Sequence, residues 1–191
     1  MIWRPFIQKT LNPEAEQNSV LKSILEKNKN TVIGKKYGFA NLDSYEDYKN
    51  SVPVHTYEML REYIEKQRQT SKPYLTQSPP FMYAQTSGTT NKPKLIPVLD
   101  ETVKNYKKSQ RVCTYAQYLE APSMFEGKIL AIVSPAAEGK LENEIPYGSL
   151  SGLLYKNIPK ILRSKYVLPY EIFGLQDYDE KYFLISVLSA A

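Results

Sequence analysis

An α/β fold is predicted by three features of this sequence: a helical N-terminal third, two short apolar runs on either side of a polar loop, and a β-α-β order after that loop. Asn12 and Pro13 read as the N-cap and first residue of a helix whose apolar positions Leu21, Ile24 and Leu25 share one face. Asp43 followed by Glu46 resembles a capping box for a short helix through Tyr48. Thr56 then opens a helix with Leu60, Tyr63 and Ile64 on its buried side. Phe81-Met82-Tyr83-Ala84 and Leu95-Ile96-Pro97-Val98 are the strand-like runs, so residues 85–94 join strand to strand like a wide hairpin connection. Asp100 is expected to cap a long helix carrying Val103, Tyr106, Cys113 and Ala116 in one stripe, and residues 128–134 read as a buried strand. Residues 138–152, rich in glycine, proline and polar side chains, are expected to be a loop. Beyond them, residues 153–163 and 179–191 read as helices around an irregular proline-containing link, with Asp179 as the N-cap of the second.

Composition narrows the function classes. A chain of 191 residues with 42% hydrophobic and 24% charged residues can bury a good core. Its longest apolar run, near residues 129–133, falls far short of the roughly 20 residues that cross a bilayer, and the first residues lack the apolar core of a signal peptide. A cytoplasmic protein with no membrane partner is therefore expected. A lone cysteine, Cys113, excludes an internal disulfide and a cysteine-rich zinc site, and its helical setting reads as a buried small hydrophobe. The net charge of +5 suits an anionic small molecule. No zinc-finger spacing or arginine-rich arm accompanies it, so nucleic acid is not an expected partner. The sixteen tyrosines are scattered and read mainly as half-buried packing residues.

Gln85-Thr86-Ser87-Gly88-Thr89-Thr90-Asn91-Lys92-Pro93-Lys94 gathers hydroxyls, a glycine and two ammonium groups into one short loop. Gly88 lets backbone approach an oxyanion closely. Ser87, Thr89 and Thr90 offer hydroxyl and N–H donors, and Lys92 and Lys94 neutralise charge, which together suit phosphate. A Walker-type loop is rejected, because Pro93 precedes Lys94 and a strand, not a helix, follows. Gly148-Ser149-Leu150-Ser151-Gly152 invites a serine-hydrolase reading, but leucine stands where a nucleophile elbow needs serine. His55, the single histidine, follows Pro53 at a turn before a helix and reads as a capping or surface-packing residue rather than a triad member.

The pattern S-G-T-T-x-K-P-K resembles the phosphate loop of the adenylate-forming superfamily, departing from its usual form at Asn91, where glycine is customary. Further segments narrow the resemblance: residues 34–39 (GKKYGF), 52–58 (VPVHTYE), Leu95-Ile96-Pro97 and Ser151-Gly152-Leu153-Leu154-Tyr155 are similar to the Gretchen Hagen three family of acyl acid amido synthetases, in the same order over nearly the whole chain. The resemblance implies the N-terminal part of a large adenylate-forming domain of the acyl-CoA synthetase and luciferase kind. It implies a ligase that activates a carboxylic acid with ATP and Mg2+ and joins it to an amino acid. Ser87, Gly88, Thr89, Thr90, Lys92 and Lys94 would hold the phosphates, with Lys92 equally readable as a solvated loop lysine. The family's adenine-binding segment, ribose-gripping acid and small mobile C-terminal domain have no counterpart in residues 1–191. A truncated portion, inactive alone and partnered by the missing part, is therefore expected. The apolar run to the chain end agrees, with Leu184 and Leu188 expected on an exposed patch. Two alternatives stay open, a fragment of an acyl- or aryl-CoA ligase and a non-catalytic interaction module.

Overall fold

Side-chain caps set most of the helix boundaries in this computed structural model, which describes residues 3–86 and 93–190. The chain divides into two units, Met1–Pro80 and Phe81–Ala191. In the first, α1 spans Trp3–Thr10 and α2 spans Pro13–Asn28. The Asn12 side chain accepts from the Ala15 N–H as expected, and Pro13 supplies the fixed φ of a first helical residue. Of the expected apolar face, Leu25 is buried whereas Ile24 is exposed. α3, Val32–Lys36, follows at once, because buried Thr31 turns the chain: its hydroxyl donates to the Asn28 carbonyl at 2.7 Å and accepts from the Gly34 N–H at 2.9 Å. Gly34 is required here, since a Cβ would stand 2.1 Å from the Asn28 carbonyl oxygen. Gly38, at φ 65°, then opens a short 3-10 turn, Phe39–Asn41, in a conformation few other residues adopt.

The next helix, α4 (Tyr45–Ser51), corrects the expected cap by one residue. Ser44, not Asp43, is the N-cap, and the reciprocal partner is Asp47, not Glu46. Ser44 Oγ accepts from the Asp47 N–H at 3.1 Å while the Asp47 carboxylate accepts from the Ser44 N–H at 3.0 Å. Thr56 caps α5 (Tyr57–Thr70) as expected, accepting from the Met59 N–H. Ile64 is buried, Leu60 and Tyr63 half-buried. A residue outside the expected stripe, Gln67, is buried too: its Oε1 accepts from the N–H groups of Leu75 and Thr76, and its Nε2 donates to the Thr76 hydroxyl. Residues 73–77 are held from the other side by Val32 N–H on the Pro73 carbonyl, Ile33 N–H on the Tyr74 carbonyl and Gln77 N–H on Asn28 Oδ1.

The second unit is built on a four-stranded sheet, β1 (Met82–Gln85), β2 (Leu95–Val98), β3 (Gly139–Lys140) and β4 (Pro146–Gly148), in the order β2-β1-β4-β3. β1 runs antiparallel to β2, pairing Met82 with Val98 and Gln85 with Leu95, and parallel to β4, pairing Tyr83 with Tyr147 and Ala84 with Gly148. The 138–152 loop expectation is thus corrected: β3 and β4 form an antiparallel hairpin, turned through Glu144 at φ 64°, and a helix begins at Leu150. α6 spans Asp100–Glu120 with Asp100 inside its first turn rather than capping it. Instead the Thr102 hydroxyl accepts from the Leu99 N–H. α6 buries none of its residues, and Cys113, expected in a core, is exposed.

Residues 128–134 are not a ladder strand. Their described sheet pairing is a single parallel bridge between Ile129 and Tyr166. α7 (Leu150–Lys156) and α8 (Lys160–Arg163) replace the one helix expected over 153–163, split at Pro159. α9 spans Tyr178–Ala190, and Asp177, not Asp179, caps it by accepting from the Glu180 N–H at 2.9 Å. The unit's core joins Tyr155, Leu168, Ile172, Phe173 and Ile185. Tyr155 meets Tyr166 and Phe173 edge-on and donates to the Leu168 carbonyl, so its phenol is both packed and satisfied; burial raises its pKa above the ordinary tyrosine value. Leu184 and Leu188, expected on an exposed patch, pack against this core instead, and the outward apolar residues of α9 include Tyr182, Phe183 and Val187. No helix among the described residues is long and apolar enough to cross a membrane.

Candidate functional site

The polar loop leaves the sheet at the carboxyl end of β1, its most paired strand. One residue beyond the β1–β2 ladder, the Thr86 N–H donates to the Lys94 carbonyl at 3.1 Å, so the two chain ends that deliver the loop are closed on each other. Lys94 itself is exposed at this base. The other expected phosphate ligands, Ser87, Gly88, Thr89, Thr90 and Lys92, lie outside the described residues. What is described is the frame: Tyr83 in β1 is fully buried, as are Met82 beside it and Val98 at the far end of β2.

Parallel pairing brings a second segment to the same edge. Because Ala84 pairs with Gly148, the carboxyl ends of β1 and β4 point the same way, and Ser149 and α7 leave the sheet beside the base of the loop. In open α/β sheets, ligands settle outside the carboxyl ends of adjacent parallel strands. Gly148 and Gly152 make the turn into α7 possible. A Cβ on Gly148 would stand 2.5 Å from the Ala136 carbonyl oxygen, and one on Gly152 would stand 2.1 Å from that of Ser134. Ser149 N–H donates to the Pro135 carbonyl, while its hydroxyl accepts from the Gly152 N–H and lies 2.7 Å from the Ser151 hydroxyl. The segment set aside as a failed nucleophile elbow is thus a glycine-spaced, serine-capped turn beside the loop. Its G-x-x-x-G spacing was the available signal.

His55 belongs to the first unit and has a packing partner. Its Nε2 lies 2.8 Å from the Tyr37 hydroxyl with the rings edge to face. Lys36 donates to the Tyr63 hydroxyl at 2.9 Å and sits over the rings of Tyr37 and Tyr63. The hydrogen bond to Tyr63, and then that to Tyr37, raises its pKa. Two of the segments that carried the family resemblance, residues 34–39 and 52–58, are therefore tied together by named contacts of their own. Among the described residues no group of three or more His, Cys, Asp or Glu side chains could hold a metal ion.

The second unit is thus a mixed α/β unit in which the two ends of the polar loop meet at the carboxyl end of an inner strand, and comparison with solved structures agrees on the fold. The GH3.15 acyl acid amido synthetase superposes with a TM-score of 0.75 at 23% identity, over 90% of this chain and 30% of that one. A family model described as the GH3 family N-terminal domain matches residues 3–189, and the chain belongs to that family. Its relatives include the indole-3-acetic acid-amido synthetase GH3.2 of Arabidopsis thaliana, 28% identical over 150 residues, which are 78% of this chain and 27% of that protein. The jasmonoyl-L-amino acid synthetase JAR6 of Nicotiana attenuata is 28% identical over 143 residues, 74% of this chain and 24% of that protein. The chain thus spans about a quarter of the length of the curated relatives it matches.

Proposed function

We propose that residues 85–94 hold the phosphates of ATP in a ligase that activates a carboxylic acid as its acyl adenylate and passes the acyl group to an amino acid. The observation that carries this reading is the closure of the loop's base by Thr86 and Lys94 at the carboxyl end of β1, in a chain of the GH3 family. A substrate carboxylate oxygen attacks the α-phosphorus and pyrophosphate departs. The amine then attacks the acyl carbon, AMP departs and the amine loses a proton. In the first step the chain's task is positioning and charge neutralisation. Backbone and hydroxyl donors of Ser87, Gly88, Thr89 and Thr90 serve the β- and γ-phosphates, and the Lys92 and Lys94 ammonium groups offset their charge. These hydroxyls and N–H groups suit phosphate oxygens rather than a resident metal, so Mg2+ is expected to arrive on the nucleotide. The amide acceptor is preferred to coenzyme A because the matched relatives are named amido synthetases.

The test is acid-dependent ATP–pyrophosphate exchange by this chain completed with the portion that its relatives carry beyond the match. The chain alone is expected to give none. In the completed enzyme Thr90→Ala should lower exchange about a hundredfold to a thousandfold for every acid alike. A changed ranking of acids with unaltered ATP dependence would make the loop an acid-recognition element and overturn the assignment.

A further inference from the structure

At α8 the second unit holds two apolar side chains out in solvent among cations. Ile161 is 85% and Leu162 50% exposed, while the neighbouring Ile158 is half-buried and packs on the core. The segment is a built turn. The Leu162 N–H donates to the Pro159 carbonyl, the Lys165 N–H to the Leu162 carbonyl and the Tyr166 N–H to the Arg163 carbonyl. Side chains brace it as well: Arg163 Nε donates to the Ile158 carbonyl at 3.3 Å, Lys128 to the Ser164 carbonyl at 2.7 Å, and Lys165 to the Phe125 and Glu126 carbonyls. The charge around the two apolar residues is one-sided. From Ile145 to Tyr170 the sequence has no acidic residue but carries Lys156, Lys160, Arg163 and Lys165. None of these four forms an ion pair among the described residues. At about 100° per residue, Ile161 and Leu162 fall on one side of the single turn of α8, and Lys160 and Arg163 on the other.

We propose that α8, with Lys156 beside it, is a peripheral contact site for an anionic lipid surface. Ile161 and Leu162 enter the acyl boundary, and the long side chains of Lys156, Lys160 and Arg163 reach back to headgroup phosphates, as in an interfacial amphipathic helix. Two observations select this occupant. The uncompensated cations call for an anionic partner. The 85% exposure of Ile161 makes the turn convex, and a flat lipid surface accepts a convex apolar tip where a folded partner would need a matching pocket. The expectation of no membrane partner rested on the lack of a spanning run, and surface contact needs none. So small an apolar tip with a few cations gives reversible attachment rather than anchoring. Neither the 85–94 loop nor nucleotide takes part, so the contact stands or falls apart from the proposed chemistry.

The test is sedimentation of the whole 191-residue chain with vesicles of phosphatidylcholine alone and of equal parts phosphatidylcholine and phosphatidylglycerol. The chain should partition about tenfold or more in favour of the anionic vesicles, an advantage that shrinks as salt is raised. Ile161→Ser with Leu162→Ser, and separately Lys160→Gln with Arg163→Gln, should each lower that partition about fivefold or more. Lys104→Gln with Lys108→Gln removes the same charge from exposed positions on α6 and, at physiological salt, should leave partition within about twofold. All these positions are exposed, so thermal melts of the variants should coincide with the parent's. The proposal is overturned if the chain shows no preference for anionic vesicles. It is overturned if the α6 variant loses as much as the α8 variants, which would make the attraction one of overall charge. It is overturned too if binding survives loss of both apolar side chains, the behaviour of a site for a soluble polyanion.

Discussion

Gly152 shows how much a single hydrogen in place of a methyl group decides. A Cβ there would meet three backbone atoms, the Ser134 oxygen at 2.1 Å, the Ala136 nitrogen at 2.6 Å and the Pro135 carbonyl carbon at 2.7 Å, none of which can rotate away. Gly152→Ala should therefore destabilise the fold by about 1–3 kcal/mol, lowering Tm by roughly 2–4 °C per kcal/mol, whereas Gly127→Ala, with nothing within 4 Å, should leave Tm nearly unchanged in a thermal melt. Gln67 makes the same point with a polar group. Removing its amide strands the N–H groups of Leu75 and Thr76. Gln67→Ala is expected to cost about 1–3 kcal/mol by urea titration, a loss that Glu62→Ala on the exposed face of α5 should not reproduce. Asp47 supplies a pH signature. Its hydrogen bond from the Ser44 hydroxyl, helped by the Asp43 and Ser44 N–H groups, holds its carboxyl below the ordinary aspartate value. A depressed folded-state pKa means that the cap's stabilisation is full above the ordinary value and is lost as pH falls through the lowered one. The stability difference between the parent chain and Asp47→Asn should shrink toward zero over that acid window, and a difference that persisted below it would remove the carboxylate from the cap.

Elements differ in how far they can be read from sequence, and the difference follows the range of the interactions that define them. Asn12 with Pro13, and Thr56, mark helix starts because capping is local chemistry within four residues. The α4 cap slipped by one because Asp43 and Ser44 can both cap, and each is followed three residues later by an acid. Residues 128–134 have the composition of a buried strand, but a strand is defined by its neighbours, and the described residues supply one bridge. The β3–β4 hairpin was hidden for the opposite reason. Gly139, Pro146 and Gly148 read as loop residues, while sheet pairing with β1 overrides their local preference. α9 corrects the expected exposed patch: its apolar residues surround the helix, so periodicity alone could not say which face is covered. Ile185→Ala should cost about 2–5 kcal/mol in a denaturant titration. Phe183→Ser should change stability by less than about 0.5 kcal/mol, and a larger effect would place Phe183 in the core.

At the scale of the whole molecule, the family was legible because its signal is distributed: a polar loop and four further segments in fixed order over nearly the whole chain, matching a family model over residues 3–189. Of the six expected phosphate-site residues, Lys94 is described, at the loop's base. The frame that presents the others, β1 between antiparallel β2 and parallel β4, depends on long-range pairing that no local pattern announces. The measurement closest to the central proposal is an amide NMR titration of this chain with magnesium ATP, tripolyphosphate and adenosine. Resonances from Thr86 to Lys94 should shift with both triphosphates and not with adenosine, and Gly88→Ala should remove the response while leaving the signals of the β1–β4 pairing in place. Adenosine-dependent shifts in the loop, or triphosphate-dependent shifts confined to residues outside 85–94, would contradict the assignment of this loop to phosphate.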